Sequence, residues 1–140
     1  MTAVSDEKLF AKFKGNPPAS LALIAESQTN LKFKLPADYV RFLRQMNGGE
    51  GPLGENAYIV LCRVEKLGEM NEGYNVAEFA PDMFLFGSNG AGEAFAFDVR
   101  STPHPIIAVP CSDLDWRAAV VIATRFREFL EVLFTSGIPF

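Results

Sequence analysis

Two segments of this chain place apolar residues at the same five offsets, and no other feature constrains the fold as much. Leu35, Tyr39, Phe42, Leu43 and Met46 fall at 0, 4, 7, 8 and 11, and Ile122, Phe126, Phe129, Leu130 and Leu133 repeat that spacing. These offsets trace one face of an α-helix, so each segment has an apolar stripe that must be covered. Pro36 opens the first helix and Asn47-Gly48-Gly49 closes it, because a glycine just past a helix end takes a left-handed cap conformation at no steric cost. Gly137 and Pro139 stop the second helix. Phenylalanine supplies much of what these faces need: the chain has 13 Phe against three Tyr and one Trp. Phe brings no polar tip to satisfy, so a dry core is within reach. At 140 residues that core belongs to a single domain spanning residues 1–140.

The rest of the chain reads in shorter pieces. Ser5–Phe13 is a short amphipathic helix with Leu9, Phe10 and Phe13 on one side, ended by Gly15-Asn16-Pro17-Pro18. Pro18 suits the first turn of a second helix running to about Ser27. Ala57–Cys62 is a strand. Arg63–Phe79 reads as helix broken near Gly73, with Val64, Leu67, Met70, Tyr74 and Phe79 as inward positions. Met83–Phe86 is apolar on both parities, which predicts a strand covered on two sides. Glu93–Val99 returns from it, with Phe95 and Phe97 on one face and Ala94, Ala96 and Asp98 on the other. His104–Val109 is a further strand. Helices at both ends with hairpin-type strands between them make the chain α+β.

Charge is unevenly spread. The formal net charge is −4 and the sequence pI about 5.0, which opposes a nucleic-acid binder relying on phosphate contacts. Residues 1–44 hold seven basic and four acidic residues, and residues 99–140 balance. Residues 45–98 hold two basic residues and nine acids, a net of −7. Glu50, Glu55, Glu65, Glu69, Glu72, Glu78 and Glu93 from this stretch are the candidate partner-binding residues. Two readings stand side by side: a solvated face that keeps the domain in solution, or an acidic patch that steers a basic protein partner.

No reaction centre emerges. The run Gly87–Gly92 lacks both phosphate-loop patterns, and a strand follows where either needs a helix. Asn89-Gly90 is instead a hairpin turn. His104 is the only histidine, which rules out a metal site with two imidazoles. Asp113 and Asp115 lie in a loop, where Asp113 suits a turn, and no third acid is near enough to suggest calcium. Cys62 and Cys111 form no CxxC pair and are expected to be reduced and buried. No catalytic residue, metal or cofactor is therefore expected. Met1–Leu9 reads as no secretory signal, and the six-residue apolar run Ala118–Ala123 is far short of a membrane span, so a cytoplasmic protein is expected.

The segment Leu35-Pro36-Ala37-Asp38-Tyr39-Val40-Arg41-Phe42-Leu43, ending in Asn47-Gly48-Gly49, resembles the best-known motif of the SUKH superfamily, the Smi–Knr family of fungal cell-wall glucan synthesis regulators. Phe86–Asp98 resembles the family's central hairpin, and Ile122-Ala123 with Phe126 and Phe129-Leu130 resembles its C-terminal helix, so the likeness runs from about Pro18 to Leu133. Arg125 departs from it, standing where the family more often has a small polar residue. The resemblance implies a largely antiparallel sheet packed by helices. For bacterial members it implies a non-enzymatic immunity protein that neutralises a cognate polymorphic toxin, often a nuclease or deaminase. The alternative it implies is an intracellular regulatory or scaffold module like the fungal members.

Overall fold

The computed structural model describes residues 4–137. Its elements run α1 (Asp6–Leu9), β1 (Lys14–Gly15), α2 (Leu21–Thr29), α3 (Ala37–Gln45), β2 (Gly49–Leu53), β3 (Ala57–Leu61), a 3-10 turn at Val64–Lys66, α4 (Leu67–Gly73), α5 (Val76–Phe79), β4 (Met83–Ser88), β5 (Glu93–Asp98), β6 (Ile106–Pro110), a 3-10 turn at Trp116–Ala118, β7 (Val120–Ala123) and α6 (Phe126–Ser136). The strands form a seven-stranded sheet in the order β1 to β7, each antiparallel to the next. The fold is α+β, as the helical and hairpin patterns predicted.

The sheet carries a core on each face. Helices α1, α2, α3 and α6 cover the larger one, where Tyr39, Phe86, Phe97, Phe126 and Phe129 pack ring against ring with centroids 4.6–5.8 Å apart. On the opposite face Val76, Ala80, Met83, Leu85, Ala94, Ala96, Ile107, Val109 and Leu114 form a smaller cluster under α5 and the segment after β6. This is why Met83–Phe86 is apolar on both parities: Leu85 faces one cluster and Phe86 the other. The small residues Ala94 and Ala96 fit the thinner layer.

Several boundaries differ from expectation. The first helix ends at Leu9, and Phe13 reaches the core from an extended stretch leading into β1. Helix α2 starts at Leu21, not Pro18, because the Ser20 hydroxyl accepts from Leu23 N–H at 3.1 Å and caps it. Ile122 lies in β7, so the C-terminal helix begins four positions later and its first predicted face residue belongs to a strand. Tyr74 and Phe79 turn outward, at 43% and 59% exposure, while Val76 takes the inward place. Strand β2, GEGPL, was not foreseen because Gly and Pro are poor strand formers. Gly48 does not cap α3: Met46 ends it in extended conformation. Gly48 is required instead by φ +72° and by Leu61 O, which would stand 2.4 Å from an added Cβ. Pro139 lies outside the described residues.

Candidate partner-binding site

The acidic run that follows β3 is held in place by two asparagine amides, Asn47 buried and Asn71 half-buried. Asn47, 3% exposed, accepts from Val64 N–H through Oδ1 and donates to Glu65 Oε1 through Nδ2, both at 2.8 Å. Asn71 does the corresponding work further on. Its amide donates to the carbonyls of Leu67 and Leu85, at 2.9 and 3.0 Å, and accepts from Leu85 N–H at 2.8 Å. Strand β3 pairs with β4 only at Val60–Ser88 and Leu61–Gly87, so Asn71 satisfies backbone groups of β4 that no strand reaches. With Val64 and Leu67 anchored inward, Glu65, Glu69 and Glu72 fall at helical spacing on the outside.

Across from them stands α2. Leu23, Glu26, Ser27, Asn30 and Leu31 face the acidic side chains over a recess of about 500 Å³ whose ionisable lining is Glu26, Glu65, Glu69 and Glu72. Gly68 leaves the floor open, since an added Cβ there would meet nothing within 4 Å. Past Asn30, Leu31 and Glu72 the recess continues into one of about 690 Å³, whose lining adds Glu78, Asp82 and Lys32. The two make a continuous acidic furrow. Lys66 borders it, 3.5 Å from Glu69 with both side chains more than half exposed, a contact too solvated to cancel the field. Partial burial disfavours the Glu65 carboxylate, but hydrogen bonds from its own backbone and Asn47, with Arg63 and Lys66 near, outweigh it and hold the carboxyl below its usual range. Glu65 is a fixed anion.

Four of the predicted residues, Glu65, Glu69, Glu72 and Glu78, are thus brought together. Glu50, Glu55 and Glu93 are not. Glu50 is on β2, where it accepts from Tyr58 Oη at 2.7 Å; Glu55 is in the β2–β3 turn; Glu93 begins β5 and accepts from Asn89 at 2.7 Å. Glu26 was missed because it lies in the basic N-terminal third, and no local pattern reveals that α2 packs beside the 3-10 turn.

The other residues considered for chemistry are occupied otherwise. Burial, then the charges of Glu65 and Glu69, push the Cys62 thiol up to about 11, and burial raises Cys111. Both cysteines are free and half-buried, less enclosed than expected. His104 Nδ1 lies 2.6 Å from Ser101 O, and its ring meets Phe33 edge-on at 5.4 Å. Asp115 binds the Arg117 guanidinium and backbone N–H, which pulls its carboxyl down to about 2. Among the described residues no three His, Cys, Asp or Glu side chains gather as a metal site, and no helix is long and apolar enough to cross a membrane.

The profile of the SMI1 / KNR4 family (SUKH-1) matches residues 18–132, a span that includes the whole furrow and both asparagines. No curated protein matches the chain.

Proposed function

Because the chain belongs to the SMI1 / KNR4 family (SUKH-1), we propose that it is a non-enzymatic immunity protein, acting in the cytoplasm as one domain over residues 1–140. In this reading it binds a cognate protein toxin of nuclease or deaminase type, without cofactor, and blocks it. The supporting observation is the furrow, where Glu26, Glu65, Glu69 and Glu72 line one recess with no cation among its lining residues. A toxin that acts on a polyanion presents a basic surface, and carboxylates compete there with substrate. Such a field raises the association rate by roughly 10–1,000-fold, an effect that fades with salt. A stable complex needs about 1,600 Å² of buried surface, so the contact extends beyond the furrow. Glu50, Glu55 and Glu93 add to the long-range field rather than to the contact.

The test is co-expression with the product of the neighbouring gene in a toxicity assay. The protein should rescue growth and co-purify with the toxin. The triple variant Glu26→Lys, Glu69→Lys, Glu72→Lys should lose rescue while melting normally; Glu65 is spared because it holds Asn47. Full rescue by the triple variant would remove the furrow from the mechanism. Absence of any rescue, with recovery of wall-synthesis or signalling proteins in a pull-down, would favour the regulatory alternative.

A further inference from the structure

The connection between α2 and α3 separates two surfaces of opposite charge. Asn30–Phe33 line the acidic furrow, whereas Lys34–Asp38 line a groove of about 790 Å³ on the other side. Gln28 sets this divide: its amide donates to Phe33 O and accepts from Leu35 N–H at 2.8 Å. His104, edge-on to Phe33, stands at the boundary.

The ionisable lining of the groove is Lys34, Arg41, His104, Arg125 and Arg127 against a single carboxylate, Asp38. That carboxylate is already used, since Asp38 Oδ2 accepts from Arg127 N–H at 3.1 Å. The Arg127 guanidinium is used as well, by Asp6, Val4 O and Glu131. Lys34, Arg41 and Arg125 are exposed and have no ion-pair partner among the described residues. Between them the groove presents apolar surface at Pro36, Ala37 and Pro103, with the buried side chains of Leu35, Phe97 and Phe126 packed underneath.

Three unneutralised cations from three separate stretches of chain, with apolar surface between them, suit a ligand that carries both carboxylates and apolar groups. The volume lies in the range of ligand-binding clefts. A long polyanion is disfavoured by the net charge of −4 and by the furrow just beyond Phe33. A peptide whose carboxylates are confined to a few positions meets neither obstacle. We propose that this groove binds an acidic segment of a polypeptide partner, with Lys34, Arg41 and Arg125 taking its carboxylates and the Pro36, Ala37 and Pro103 surface between them taking an apolar side chain. The proposal does not depend on what occupies the furrow.

The experiment is fluorescence anisotropy on the full chain with a labelled short peptide alternating Glu with Leu and Phe. Saturable binding that weakens with salt is expected. Lys34→Glu combined with Arg125→Glu should weaken it at least about ten-fold. Arg41→Glu serves as a second variant, and the furrow variant Glu26→Lys, Glu69→Lys, Glu72→Lys should bind normally. All these side chains are exposed, so thermal melts should match the parent. No saturable binding, or undiminished affinity in both groove variants, would overturn the proposal. So would equal affinity for single-stranded DNA of matched charge, or a dimer in sedimentation that the groove variants dissolve, which would make a second copy the occupant.

Discussion

Asn47 Nδ2 and Glu65 Oε1 share a 2.8 Å hydrogen bond across a sequence separation of 18, joining a buried amide to an exposed carboxylate of the furrow. Through this contact the core positions the candidate binding surface. Asn47 also receives Val64 N–H on Oδ1, and its backbone carbonyl accepts from Asn16 Nδ2 at 3.0 Å. Asn47→Ala therefore strands a buried N–H and frees Glu65. The expected loss is about 2–3 kcal/mol in urea denaturation. A loss under about 0.5 kcal/mol would show that water replaces both bonds without cost.

Tyr39 is 1% exposed, and its hydroxyl has no hydrogen-bond partner among the described residues. Burial, helped by Cys62, raises its pKa, so the phenol stays neutral. The ring packs on Phe86, Phe97 and Phe126. Tyr39→Phe keeps that packing and removes an unsatisfied polar atom, so stability should rise by about 1 kcal/mol. Clear destabilisation in the same assay would mean that the hydroxyl has a partner in solution.

Acid should weaken the fold partly through Asp98. Its buried carboxylate accepts from Arg100 N–H, Nε and Nη2, each at 3.0 Å, and these bonds hold its carboxyl below the usual range against the opposing effect of burial. The folded carboxyl is thus more acidic than that of the unfolded chain, whose Asp titrates at about 3.9. Its contribution is complete above the unfolded value and disappears as pH falls through the folded one. Urea titrations should show stability dropping below about pH 4. Asp98→Asn should cost about 1–2 kcal/mol at neutral pH and flatten the acid limb. An unchanged limb would assign acid lability to other carboxylates. Arg100 also stacks 3.5 Å over the Trp116 ring, so Trp emission gives a second readout.

Two glycines should respond in opposite directions. Gly48→Ala meets Leu61 O at 2.4 Å with φ at +72°, and should cost more than about 2 kcal/mol. Gly68→Ala meets nothing within 4 Å and lies in α4, so it should stabilise by about 0.5 kcal/mol. If thermal melts order the two variants the other way, the placement of the α3–β2 link is wrong.

The parts of the fold legible in the sequence were those with local periodicity. The α3 face, the two-sided apolar pattern of β4 and the Asn89-Gly90 turn all came through. Strands β2 and β7 did not. Gly49-Glu50-Gly51-Pro52-Leu53 has no strand propensity and is paired because β3 lies beside it. Ile122 fits a helical offset by coincidence, while pairing with β6 holds its neighbours Val121 and Ala123 in a strand. Of the furrow, the α4 acids were legible as a charge run. Glu26, Asn47 and Asn71 were not, since each acts on residues distant in sequence.

The chain's own order of residues determined a helical stripe at Leu35–Met46, an ample supply of Phe, an acidic middle and a single histidine. These follow from spacing and composition, which are local or additive properties. Only the tertiary structure decided that the acids divide, with Glu65, Glu69, Glu72 and Glu78 along one furrow and Glu50, Glu55 and Glu93 elsewhere. It also gathered Lys34, Arg41 and Arg125 into a groove beside it. The physical reason is that surface charge is arranged by how the elements dock. Docking is set by long-range contacts, here the aromatic core and the hydrogen bonds of Asn47 and Asn71, that no local pattern encodes.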